Sequence, residues 1–259
     1  MKKKRGQPIE GSNDAAALVI GRHPVEAALA AKRTANKLFI QEDSGGAVID
    51  HILALAQEKN VPYTFVPKTK LDALSPEGNH QGVILSASPV AYATLDELFA
   101  EAKQRGEDPF FLLLDELEDP HNLGSILRTA DAAGVHGVII LKHRAVGLTA
   151  TVSKAAAGSM ERVKVARVTN MVDTMNELKA RGVWIFGSAL AGTDYRQWNT
   201  SGPLALVIGN EGKGISRLVL KEVDEKVTLP MVGGTESLNA SVAASLLMYE
   251  VFRQRHPLA

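Results

Sequence analysis

Cysteine is absent from the 259 residues, which excludes disulfides, thiolate zinc sites, iron–sulfur clusters and a cysteine nucleophile. Charge of one sign is missing too. With 29 Lys and Arg against 29 Asp and Glu, any affinity for nucleic acid has to come from local patches. No apolar run approaches the roughly 20 residues that cross a bilayer, and the basic start Lys2–Arg5 leads into polar residues rather than an export signal's apolar core. Neither membrane insertion nor export is expected, and a chain without cysteine fits the cytoplasm. Aromatics are sparse at 5%, yet hydrophobic residues reach 45%, ample for a packed core.

What is present is alternation. Residues 1–16 read as a flexible basic arm, and residues 17–91 as a small α/β unit. Its strands are expected at Leu18–Ile20, Lys37–Ile40, Tyr63–Val66 and Gly82–Ala87, and its helices at Pro24–Ala31, Val48–Glu58 and Thr69–Leu74. Residues 92–108, rich in Asp and Glu, form an acidic helical linker. Residues 109–259 restart with Phe110–Leu114, a continuous apolar run of the kind buried on both faces of a parallel sheet. Further strands are expected at Gly137–Leu141, Val163–Val165, Val183–Ser188, Leu204–Ile208 and Lys226–Leu229. Helices fall between them at Asn122–Ala133, Ala150–Gly158, Met171–Arg181, Ser216–Glu222 and Ser237–Arg255, which makes a second α/β sheet.

Three segments carry residues that packing alone does not need. In Asp115–Arg128 a strand end turns at Pro120 and enters a helix, where Asn122 is a good cap and Arg128 could pair with Asp131 or Asp119. Ligands of open α/β sheets bind at such strand ends. In Ile208–Ile215, three glycines permit tight turns and close approach of a ligand to the main chain. A phosphate loop of an ATPase is disfavoured, because Gly214 follows Lys213 where a magnesium-binding Ser or Thr belongs, and a plain glycine turn stays open. In Leu229–Ala243, a glycine loop leads into the terminal helix, and Ser237 could simply cap it. The segment lacks the G-x-S-x-G frame of a serine hydrolase, and the histidines show no metal-ligand spacing, so no metal is expected.

In order and spacing, Asn122–Arg128, Gly209–Gly214 and Pro230–Val242 resemble the three motifs of the SpoU (TrmH-type) branch of the SPOUT RNA methyltransferases. Residues 17–91 are similar to the small substrate-binding domain that precedes many such enzymes, itself akin to ribosomal-protein-type RNA-binding domains. Ala240 departs from the pattern, since relatives often carry a larger β-branched residue there.

The resemblance implies a C-terminal parallel-sheet domain with a deep trefoil knot, and transfer of a methyl group from S-adenosylmethionine to a ribose 2′-hydroxyl of structured RNA. It carries Arg128, Asn122, Glu211, Ser237 and Asn239 over as the catalytic group. Gly209, Leu229 and Leu238, with Met231 and Ile208 nearby, are carried over as the cofactor-binding group. A homodimer through the knotted region is implied, compatible with the apolar residues Val242, Leu246, Leu247, Tyr249, Val251 and Phe252 of the terminal helix. The likeness is strongest to enzymes that modify a guanosine of 23S ribosomal RNA. A transfer-RNA methyltransferase and a non-catalytic RNA-binding or ribosome-assembly protein are the alternatives. Arg22, Lys32, Arg33, Lys37, Lys68 and Lys70 are candidate phosphate contacts.

Overall fold

A computed structural model describes residues 18–30, 34–76 and 78–258. The basic arm and the candidate phosphate contacts Lys32 and Arg33 lie outside the described residues.

Two sheets organise the chain. The first has strands β1 (Leu18–Ile20), β2 (Ala35–Gln41), β3 (Tyr63–Val66) and β4 (Val83–Ala87) in the order β1-β4-β2-β3. β2 and β3 are parallel, joined by a crossover, while β4 runs antiparallel to β1 and β2. Helices α1 (Arg22–Ala30) and α2 (Ala47–Glu58) press Val25, Leu29, Ile49 and Ile52 onto Leu38, Ile40, Val83 and Leu85, and α3 (Lys68–Leu74) follows β3.

The acidic segment that follows is helix α4 (Leu95–Arg105), opened by a capping box between Thr94 and Glu97 and closed by Gly106 in the left-handed region. It does more than connect. Leu98 is fully buried in the core of the second sheet, and the Phe99 ring meets Phe111 edge-on at 5.0 Å. Leu95, Leu98, Phe99 and Ala102 recur at helical spacing, so burial of that stripe binds the helix to the second body despite its charges.

The second sheet is parallel throughout, in the order β10-β8-β9-β5-β6-β7. Its strands are β5 (Phe110–Leu114), β6 (Gly137–Leu141), β7 (Val165–Val168), β8 (Trp184–Asp194), β9 (Leu204–Ile208) and β10 (Glu225–Thr228). Helices α5 (Pro120–Ala132), α6 (Ala150–Ala156) and α9 (Ala240–Arg255) cover one face. The other face is covered by α4, α7 (Met171–Ala180) and α8 (Arg217–Glu222). Every residue of β5 and β9 is therefore buried, which explains their unbroken apolar sequences.

The chain builds outward from β5 through β6 and β7, then continues on the other side of β5 with β8 and β9. The strand order thus reverses between β5 and β9, and a crevice opens beyond their carboxyl ends. Strand β7 lies later than its expected position because Arg167 interrupts the apolar pattern while remaining part of the strand. Among the described residues, no helix is long and apolar enough to cross a membrane.

Candidate active site

Helix α5 leaves the β5 end with Asp119, not Asn122, as its cap. The Asp119 carboxylate accepts from the His121 N–H at 2.8 Å, and Pro120 takes the first helical position, where its missing N–H costs nothing. Asn122 is thereby released from the capping role expected of it. Its side chain, in a residue only 6% exposed, works across the fold. Nδ2 donates to Glu211 Oε1 at 2.7 Å, and Oδ1 accepts from Asn239 Nδ2 at 3.0 Å.

Asn239, not Ser237, caps the terminal helix. Its Oδ1 accepts from the N–H groups of Ser241 and Val242 at 2.9 and 3.3 Å, and from the Ser241 hydroxyl at 2.7 Å. Asn122, Glu211 and Asn239, far apart in the chain, form one hydrogen-bonded group. Replacing Asn239 with alanine is expected to cost about 1 kcal/mol of cap and to lower Tm by about 2–4 °C. Turnover should fall much further, because the Asn122 amide loses its donor. A melting curve beside an activity assay checks this, and a variant with full turnover would refute it.

The loop after β9 closes on itself. Asn210 and Gly214 exchange main-chain hydrogen bonds at 3.0 and 2.8 Å, and Asn210 Oδ1 accepts from the Gly212 and Lys213 N–H groups at 2.9 and 3.2 Å. A Cβ on Gly209 would stand 2.2 Å from the main chain of Gly214 and Ile215, so only glycine lets the loop fold this tightly. Two anchors tie the loop to the end of β5. Asn210 Nδ2 donates to the Glu116 carbonyl at 2.9 Å, and the buried Asp115 carboxylate accepts from the Ser216 N–H at 2.7 Å. Sequence reasoning passed over Asp115 and Asn210. Each is a polar residue at the carboxyl end of an apolar strand, a signal that could have marked both.

Between this loop and the 229–239 loop lies a cavity of about 480 Å³. Its lining includes Ile208, Gly209, Leu229, Met231 and Leu238, together with Glu211 and Ser237. Ser188, Ala189 and Leu190 in the middle of β8, just beyond its pairing with β9, form a further wall that sequence reasoning did not anticipate. Ala240, at the departure from the family pattern, also borders the cavity. Among the described residues, no cluster of His, Asp or Glu could hold a metal ion.

Arg128 is not among the residues lining this cavity. It sits about 9 Å along α5 from Asn122 and about 120° around the helix axis. Its side chain is exposed and, among the described residues, has no hydrogen-bond or ion-pair partner. Asp131, considered as a partner for it, instead binds Arg162 through a guanidinium fork at 2.5–3.1 Å. On α9, Leu247 and Val251 belong to the core and Phe252 packs partly against it, whereas Val242, Leu246 and Tyr249 form an exposed apolar stripe, each 45–48% accessible.

A parallel sheet covered on both faces, with a small-molecule cleft at the reversal of its strand order, defines a ligand-binding α/β domain. Comparison with known proteins gives it a family. Residues 109–249 match the SpoU rRNA Methylase family, and residues 18–93 match the RNA 2′-O ribose methyltransferase substrate-binding family. YacO of Bacillus subtilis strain 168, assigned to the TrmH family of tRNA/rRNA methyltransferases, is 50% identical over 241 residues, which cover 93% of this chain and 96% of YacO. The SpoU methyltransferase AviRb of Streptomyces viridochromogenes, in complex with AdoMet, superposes with a TM-score of 0.59 at 26% identity, covering 93% of this chain and 92% of AviRb. An AdoMet-bound rRNA methyltransferase from Sinorhizobium meliloti gives a TM-score of 0.58 at 25% identity, covering 95% of this chain and 90% of its own. The chain belongs to the SpoU family and is an RNA methyltransferase of the TrmH type.

Proposed function

We propose that the protein transfers the methyl group of S-adenosylmethionine to a ribose 2′-hydroxyl of structured RNA, a guanosine of 23S ribosomal RNA rather than a transfer RNA, in the cytoplasm. The observation that carries this reading is the Asn122–Glu211–Asn239 group bound together beside a cleft that Ile208, Gly209, Leu229, Met231 and Leu238 line.

The cleft fits the cofactor. Its volume falls within the range of ligand sites, and Gly209 lets main-chain groups approach where a Cβ would collide. Leu229, Met231 and Leu238 supply apolar walls for the adenosine and thioether portions. When bound, S-adenosylmethionine supplies an electrophilic methyl on a positively charged sulfur. The attacking ribose oxygen must gain negative charge, and Arg128 is the group we assign to stabilise it and to hold an adjacent phosphate. A guanidinium keeps its proton in proteins, so Arg128 acts electrostatically and not as a base. Asn122, Ser237 and Asn239 orient the RNA and the loops, and Glu211 holds the Asn122 amide in place.

A homodimer formed on the Val242, Leu246 and Tyr249 stripe explains why Arg128 stands outside its own cleft. Helix α5 packs beside α9, with Thr129 Oγ1 and Ser245 Oγ 3.0 Å apart, so pairing of two such faces brings each Arg128 toward the partner subunit. The trefoil knot is part of the same reading. Its support is that the chain leaves the sheet at β10 and returns to α9 on the α5 side through residues 229–239, which share a cavity with the Gly209–Gly214 loop.

The test is to incubate the protein with labelled S-adenosylmethionine and with ribosomal or transfer RNA from cells lacking it, then to map the labelled nucleotide. A 2′-O-methylguanosine in 23S RNA is expected. Label in tRNA would replace the substrate assignment, and cofactor binding without transfer to either RNA would favour a non-catalytic assembly protein.

A further inference from the structure

The two bodies meet through a cluster of polar groups that neither core requires. Arg167 on β7 reaches across to the start of β2, donating from Nη1 to the Asn36 carbonyl at 3.2 Å and from Nη2 to the Ala35 carbonyl at 2.8 Å. Its guanidinium lies 4.4 Å from the centre of the Tyr92 ring. The Tyr92 hydroxyl donates to Asn36 Oδ1 at 2.5 Å and accepts from the Leu148 N–H at 2.9 Å, while Asn36 Nδ2 donates to the Leu148 carbonyl at 2.7 Å. Asn36 is buried, and burial pushes the Tyr92 phenol above its ordinary pKa, which keeps its proton available for donation. Gly147 fits the cluster because it has no side chain: a Cβ there would stand 2.6 Å from Asn36 Oδ1 and 2.9 Å from the Tyr92 oxygen.

Both attachment points are themselves fixed. Ala93, next to Tyr92, donates its N–H to the Val165 carbonyl at 2.8 Å and pairs with Ala166, extending the edge of the second sheet. Leu148 precedes Thr149, the cap of α6. Helix α6 is clamped onto α5 at Gly124, where a Cβ would come within 2.4 Å of Ala155 Cβ. Helix α5 carries Asn122 and Arg128. A continuous packed route therefore runs from the first body to the helix of the candidate active site.

We propose that Arg167, Tyr92 and Asn36 form a latch that fixes the substrate-binding body at one distance and angle from the methyl-transfer cleft, so that RNA held by the first body presents its ribose to the second. The inference rests on the functional reading above. These are positioning residues. They touch neither the cleft nor, on this account, the reacting atoms, and their contribution is to RNA engagement.

The full-length protein and its Arg167→Ala, Arg167→Lys and Tyr92→Phe variants are compared by small-angle X-ray scattering and by steady-state methylation of a 23S RNA transcript. Arg167→Ala removes a charged two-point donor, and KM for RNA should rise about tenfold, with kcat and cofactor Kd within about twofold of the parent. The scattering should show a larger radius of gyration and a broader distance distribution between the bodies. Arg167→Lys, which keeps the charge but not the fork, should lie between Arg167→Ala and the parent. Tyr92→Phe keeps the ring beneath Arg167 and loses only the hydroxyl, so it provides the same comparison with a smaller steric change. Larger dimensions with an unchanged KM would overturn the latch, as would unchanged dimensions, or a matching loss of cofactor affinity. Absence of methyl transfer by the parent protein would instead count against the functional reading, and scattering with filter-binding of the transcript would still judge the latch.

Discussion

Arg128→Ala is expected to melt and to bind S-adenosylmethionine as the parent does, while turning over about 10²–10³-fold more slowly. The separation follows from the position of the side chain. Arg128 is exposed, lies outside the cleft and has no partner among the described residues, so its removal leaves no cavity and no unsatisfied group. An arginine held on a rigid helix without a local partner is available for charge that arrives with the substrate. The expected loss is that of one electrostatic contact to a developing oxyanion, about 3–4 kcal/mol. Lysine at this position should recover part of the rate, since it restores charge without the planar fork. Single-turnover rates measured beside calorimetric cofactor titration decide the matter, and near-normal turnover by the alanine variant would remove Arg128 from the mechanism.

Gly209→Ala should show the opposite pattern, losing cofactor binding first. The added Cβ would meet main-chain atoms of Gly214 and Ile215 at 2.2 Å, and backbone cannot swing aside as a flexible side chain can. The loop has to open, which breaks the paired Asn210–Gly214 hydrogen bonds and shifts the wall of the cleft. Loss of two such bonds corresponds to about 2–3 kcal/mol, or roughly a 30- to 150-fold weaker Kd. Gly212→Ala is the internal control. In the same loop, its Cβ would meet only Asn210 Oδ1 at 3.7 Å, an ordinary contact, and affinity should hardly change. Equal affinities for the two variants would mean that the tight turn at Gly209 does not shape the binding site.

Strands were most legible where burial on both faces left an unbroken apolar run. The expected limits of β5, β6 and β9 coincide with the observed ones. Strand β7 was placed too early because its third residue is Arg167, whose charge is satisfied by the other body and by no near neighbour in sequence. Capping was legible as a position but not as an assignment. Asp119 and Asn122 both suit the start of α5, as Ser237 and Asn239 both suit the start of α9, and local propensity does not rank them. The decision fell to distant groups. Asn122 is held by Glu211 and Asn239, and Asn239 caps α9 while reaching Asn122. The linker segment shows the same limit, since its charges were visible in the sequence and its burial against Phe111 was not.

By itself, the sequence determined the local outcomes: which segments extend, which coil, where glycine permits a turn, and which polar residues stand at strand ends. These depend on side-chain shape and on periodicity over a few residues, information that lies within each segment. Only the tertiary structure decided that the Gly209 and Leu238 loops share a cleft, that Asn122 is bonded to Glu211 on its wall while Arg128 stands apart, and that Arg167 joins the two bodies. Those relations follow from the order in which strands are laid side by side, β9 next to β5 and β10 at the far edge, and from hydrogen bonds between groups that folding alone brings within reach.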